Sequence, residues 1–151
     1  MRLTIMQGPS GSGKTFHGER IAREFSADLH SADNFPGLYP EEGGFAVALL
    51  GAAHGACFKG CIESLQAGRS VVVDNTNTTA LEIAPYVQLA QAFGAEPKIV
   101  RIVCDPAKAL ARNTHGVPAA GHAGQVERIA AFEPAFHWQF VPGFEVSEIE
   151  N

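Results

Sequence analysis

Gly8-Pro9-Ser10-Gly11-Ser12-Gly13-Lys14-Thr15 decides how the rest of this sequence is read. It fits G-x-x-x-x-G-K-[ST] at every fixed position, the pattern of a loop that cradles phosphate. The glycines allow positive φ and let backbone N–H groups come close to phosphate oxygens. A helix starting at Lys14 points its positive end at the same anion. Lys14 is placed to reach the β- and γ-phosphates of ATP or GTP, and Thr15 to hold Mg2+. The motif has meaning only between a strand and a helix. Arg2 to Gln7 reads as a short buried strand. From Lys14 the pattern turns helical, with Phe16, Ile21, Ala22 and Phe25 apolar among Glu19, Arg20, Arg23 and Glu24.

Outward from the loop, strand and helix patterns alternate. Asp28 to Ser31 suits a second strand. Phe35 to Gly44 carries two prolines and three glycines, a loop composition. Phe45 to Ala67 reads as a helix closed by Gly68. Val71-Val72-Val73 is a β-branched run, the mark of a strand buried on both faces. A helix is expected from Thr79 to Phe93, with Pro85 marking a kink or a later start. Lys98 to Cys104 is a further strand, and Asp105-Pro106 opens a helix with an N-cap residue and proline at N1. Asn113 to Gly124, rich in Gly, His and Pro, reads as a loop or lid. Val126 to Phe132 is a short helix, and the rest, with Trp138 and Phe140, is ambiguous between irregular chain and a final strand. The alternation specifies α/β architecture with a parallel sheet. Residues 1–151 read as one domain, with a lid near 112–125.

Composition narrows the function. Lys+Arg total 11 against 16 Asp+Glu, a net charge of −5, which argues against a protein that coats phosphate backbones. Residues 97–130 nevertheless gather Lys98, Arg101, Lys108, Arg112 and Arg128 against Asp105 and Glu127, a positive wall for an anion. Cys57, Cys61 and Cys104 read as free buried thiols of a reducing compartment. No apolar stretch is long enough to span a membrane, and no signal segment is visible. The expected setting is the cytoplasm.

Three further residues are candidates for chemistry. Asp74, at the tip of the Val71–Val73 strand, stands where an acid binds Mg2+ beside a phosphate loop, or simply caps the next helix. Asp33, at the edge of the second strand, can take a proton from an attacking hydroxyl, or serve as an N-cap. Arg112 precedes the lid segment and can close on a transferring phosphate, or remain a solvated helix-end arginine. Position alone leaves each pair of readings open.

Together these blocks resemble the polynucleotide-kinase-like P-loop proteins. The matching pieces are the phosphate loop, Ser31-Ala32-Asp33-Asn34-Phe35, and Val71-Val72-Val73-Asp74-Asn75-Thr76-Asn77. Pro85-Tyr86-Val87, Phe93-Gly94, Arg112-Asn113-Thr114-His115-Gly116-Val117-Pro118 and Phe132-Glu133-Pro134 follow in the family's order. The resemblance implies a P-loop NTPase fold of three α/β/α layers with strand order 2-3-1-4-5. It implies transfer of the γ-phosphate of ATP to the 5′-hydroxyl of a polynucleotide, DNA or RNA. It gives Asp33 the role of general base and Arg112 that of lid arginine.

The chain departs from that family in places. Asn34 stands where a second acid is common, and Phe35-Pro36-Gly37 where a basic residue often follows. Gly121-His122-Ala123-Gly124 looks like an insertion in the lid, and Ala131 replaces a second arginine. Two other functions fit these departures: a small-molecule kinase acting on a sugar, nucleoside or nucleotide-sugar, and an ATP-binding regulatory module with slow hydrolysis.

Overall fold

The structure, a computed structural model, describes all residues from Met1 to Asn151. Its sheet contains β1 (Arg2–Gln7), β2 (Asp28–His30), β3 (Val71–Val73), β4 (Glu96–Val103) and β5 (Glu145–Glu150). All are parallel, in the order β2-β3-β1-β4-β5. This is the order the resemblance implied. The helices are α1 (Lys14–Glu24), α2 (Leu50–Gln66), α3 (Ala80–Ala92), α4 (Pro106–Ala111) and α5 (Ala119–Ala130).

Strand alternation divides the core into two layers. Leu3, Ile5, Val71, Val73 and Ile99 face a large cluster built with α2, α3, Phe132 and Trp138. Met6, Val72, Val100 and Ile102 face the other way, onto Ile21 of α1. That second layer is thinner than the sequence suggests. Phe16 and Phe25, expected on the apolar face of α1, are exposed. Phe25 instead lies under Arg2, whose guanidinium carbon is 4.0 Å from the ring centroid, a cation–π contact.

Element boundaries need four corrections. The helix expected from Phe45 begins at Leu50, after a single 3-10 turn at Val47–Leu49. The strand expected at Lys98 begins at Glu96. The helix α3 starts at Ala80 and runs through Pro85. Thr79 and Glu82 form a reciprocal capping box at its start, and the carbonyl that Pro85 leaves unbonded belongs to exposed Leu81. Finally, Ala119 to Gly124, read as loop, is the first half of α5.

Two of the five cations of the positive wall are paired. Lys98 pairs with Glu145 at 3.0 Å and Arg101 with Glu148 at 3.4 Å. The parallel register of β4 and β5 sets these residues side by side, so the acids of the last strand neutralise the cations of its neighbour. No helix is long and apolar enough to cross a membrane.

Candidate functional site

The phosphate loop leaves β1 at Gln7 and enters α1 at Lys14. Gly11 and Gly13 adopt φ of 78° and 98°, the left-handed region in which a side chain is strained. A Cβ on Gly11 would also collide with the Ala109 carbonyl. The C-terminal end of α4 therefore rests on the loop. Arg112 is the C-cap of that helix and is solvent-exposed. Its neighbour Asn113 presents its backbone nitrogen 3.0 Å from the position a Gly11 Cβ would take.

Lys14 Nζ donates to the Pro9 carbonyl at 2.9 Å. Burial pulls its ammonium below the ordinary lysine value, against the pull of Asp74 and Asp33. The Thr15 hydroxyl donates to Asp74 Oδ2 at 2.7 Å. Asp74 is only 5% exposed, and burial raises its carboxyl above the ordinary range, opposed by the Thr15 hydrogen bond and Lys14. Its second oxygen, Oδ1, is buried and has no hydrogen-bond partner. An unpaired buried carboxylate oxygen beside a threonine hydroxyl is a donor set for a hard cation. Thr15 and Asp74 thus fit Mg2+.

The Asp74-Asn75-Thr76-Asn77 segment stitches three strand ends together. Asn75 Oδ1 accepts from the Ala32 N–H at 2.9 Å, which anchors the residue before Asp33. The Gly8 N–H donates to the Thr76 carbonyl at 3.1 Å, fastening the start of the phosphate loop. Asn77, at φ 49°, donates from Nδ2 to the Met6 carbonyl at 2.7 Å. Asparagine tolerates that backbone conformation better than most residues.

Asp33 lies in a 3-10 turn, Ala32–Asn34, capped by the Ser31 side chain, which accepts from the Asp33 N–H. Its carboxylate is exposed but engaged on both oxygens. The Tyr39 hydroxyl donates to Oδ1 at 2.8 Å. His115 Nε2 lies 3.5 Å from Oδ2, and its ring stacks on Tyr39 with centroids 4.5 Å apart. The segment before α5 thereby reaches across to the base candidate. Between them is a cleft of about 350 Å³ lined by Ser10, Asp33, Tyr39, Phe45, His115 and Gln125, among others.

The helix α5 grips the phosphate loop directly. Gln125 Oε1 accepts from the Ser10 N–H at 2.9 Å, and His122 Nε2 lies 3.0 Å from the Ser10 carbonyl. A carbonyl only accepts, so Nε2 carries the proton. His122 is 2% exposed. Both backbone groups of Ser10 are thus satisfied by one face of α5. The sequence reading missed Gln125 and Tyr39. The three-residue spacing of His122 and Gln125 marks a common helical face, but only once that stretch is known to be helix. Tyr39 carries no such signal.

The structure gathers Lys14, Thr15, Asp74 and Asp33 around the loop. Asp74 and Asp33 both act on the Lys14 ammonium through charge. Arg112 is carried on the adjoining α4 end and does not line the cleft.

Known proteins share this fold. The model of the AAA domain family matches residues 3–131. A sugar kinase from Janibacter sp. HTCC2649 superposes with a TM-score of 0.67 at 17% identity, over 99% of this chain and 85% of that one. Kti12 from Chaetomium thermophilum, solved with ADP-AlF3, gives 0.66 at 16% identity, over 95% and 87%. A chain of the Pnkp1/Rnl/Hen1 RNA repair complex gives 0.72 at 17% identity, over 86% of this chain but 44% of that one. At these identities the likeness is one of fold.

Proposed function

The chain belongs to the AAA domain family, and on that premise we propose that it is an ATP-dependent kinase acting on the 5′-hydroxyl of a polynucleotide. The observation that carries the transfer reading is the placement of the Asp33 carboxylate, exposed, beside a cleft that also reaches the phosphate loop at Ser10. A hydrolase needs room for water only. Here a cavity for an acceptor adjoins a carboxylate able to take a proton.

In this reading the residues Gly8, Pro9, Ser10, Gly11, Ser12 and Gly13 form the loop around the phosphates, with Lys14 and Thr15 at its end. Lys14 leaves the Pro9 carbonyl to meet the β- and γ-phosphates. Thr15 and Asp74 hold Mg2+, which offsets phosphate charge when bound. Asp33 takes the proton of the acceptor hydroxyl at Oδ2, the oxygen with the longer contact, while Tyr39 keeps Oδ1 in place. Arg112, on the α4 end, turns toward the charge that develops on the transferred group. Residues 112–125 act as the lid of a single domain, its α5 part held on the phosphate loop by His122 and Gln125.

A second reading, a small-molecule kinase, is favoured by one observation: no lysine or arginine lines the cleft. Transfer of labelled phosphate from ATP to a 5′-hydroxyl oligonucleotide tests the first reading. Labelled oligonucleotide in the presence of Mg2+ is the expected result. Label released only as inorganic phosphate, with every hydroxyl acceptor supplied, would sink both kinase readings.

A further inference from the structure

Resting on the kinase reading, the lining of the acceptor cleft carries a statement about what it recognises. Two carboxylates, Asp33 and Glu82, line the cleft, and its imidazoles are His54 and His115. His115 is already directed at Asp33. Neither nearby cation lines the cleft: Arg128 donates from Nε to the Thr78 hydroxyl at 3.0 Å, and Lys14 donates from Nζ to the Pro9 carbonyl at 2.9 Å. A phosphodiester entering here would shed water beside a like charge with no lysine or arginine in the lining to receive it, a costly arrangement in a half-enclosed site.

The remaining surface suits a ring. Tyr39 and Phe45 form an aromatic wall, their centroids 5.6 Å apart and tilted by 46°. Phe45 is 45% exposed and is free to stack on a planar group, as aromatic side chains do with bases. The volume of about 350 Å³ is near the lower limit of pockets for small ligands, roughly 300–1,000 Å³. It has room for a ring system and its sugar rather than for a strand.

We infer that the cleft recognises an uncharged nucleoside moiety that carries the reacting hydroxyl, and that recognition ends before the first phosphate. For a polynucleotide end, the terminal nucleoside alone is read, and the phosphates that follow lie outside in solvent. A free nucleoside is then as good an acceptor as a strand.

The test compares wild-type kcat/KM for a nucleoside, its 3′-monophosphate and a 5′-hydroxyl decanucleotide. Saturating ATP and Mg2+ are used at about 50 mM salt, where phosphate contacts count most. The expected values lie within about tenfold of one another. A preference beyond about tenfold for either phosphate-bearing acceptor, lost at about 200 mM salt, overturns the inference and leaves the kinase reading standing. Phosphorylation of none of the three, with ATP still hydrolysed, overturns the kinase reading and the inference with it. Phe45→Ala supplies an independent readout. It is expected to raise the KM for the nucleoside and leave the KM for ATP unchanged; an unaltered nucleoside KM would contradict the aromatic wall.

Discussion

The Thr15 hydroxyl donates to Asp74 Oδ2 at 2.7 Å, joining the first turn of α1 to the end of β3 across 59 residues of chain. One oxygen of Asp74 is thereby satisfied, and the other is buried without a partner. An unpaired buried carboxylate oxygen is costly, and the proposed role of Asp74 is to offer it to a cation.

Asp74→Asn should therefore stabilise the empty protein while impairing the loaded one. Relief of the unpaired buried charge is expected to add about 1 kcal/mol, a rise in Tm of about 2–4 °C for a chain of this size. The further rise produced by ATP should lose most of its dependence on Mg2+. Thermal unfolding with and without Mg2+ and ATP reads both effects. A lower Tm for the empty variant, with the Mg2+ effect intact, would remove Asp74 from the metal site.

Asn75→Ala tests the stitching of the strand ends. Asn75 is 6% exposed, and its loss leaves the Ala32 N–H, in a residue 3% exposed, without a partner. An orphaned buried donor costs about 1–3 kcal/mol. Urea unfolding should show that loss. Because Ala32 precedes Asp33, phosphoryl transfer should fall while the KM for ATP holds. Equal stability of variant and wild type would mean that water replaces the bond.

These bonds also explain what was legible in the sequence. The phosphate loop was readable because its chemistry dictates its residues one by one. Asp74-Asn75-Thr76-Asn77 was readable as a block, yet only the structure assigns separate tasks to Asn75 and Asn77, since their partners lie 43 and 71 residues away. The first half of α5 was misread because Gly121 and Gly124 each disfavour helix by about 1 kcal/mol. His122 and Gln125, held on Ser10, together with buried Ile129, outweigh that local preference. The exposure of Phe16 and Phe25 was equally hidden, because helical periodicity does not say how much sheet lies beneath a helix.

Acid should destabilise the fold through the Asp28–Ser64–His30 cluster. The Ser64 hydroxyl donates to Asp28 Oδ2 at 2.6 Å, so His30 Nε2, 2.9 Å from Ser64 Oγ, carries the proton that completes the chain. Burial lowers the His30 pKa, partly offset by Asp28. The Ser64 and Arg69 hydrogen bonds lower that of Asp28. With His30 depressed, the unfolded chain binds more protons below its ordinary value of about 6.5, so stability rises with pH through that region. The contribution is complete above about 6.5 and declines as pH falls; that of Asp28 is lost later, below its ordinary value of about 3.9. Unfolding free energies between about pH 5 and 7 should show the slope, and His30→Asn should flatten it. An unchanged slope in the variant would place the proton uptake elsewhere.

Asp33→Asn tests the central claim most directly, because it keeps the shape and the Tyr39 contact but cannot take a proton. The measurement is single-turnover phosphoryl transfer from ATP to a 5′-hydroxyl acceptor, with ATP affinity determined on the same samples. The account predicts transfer reduced by about 10²–10⁴ with ATP affinity unchanged, since Lys14, Thr15 and the loop amides are untouched. Transfer at the wild-type rate, or a loss explained wholly by weaker ATP binding, would contradict it.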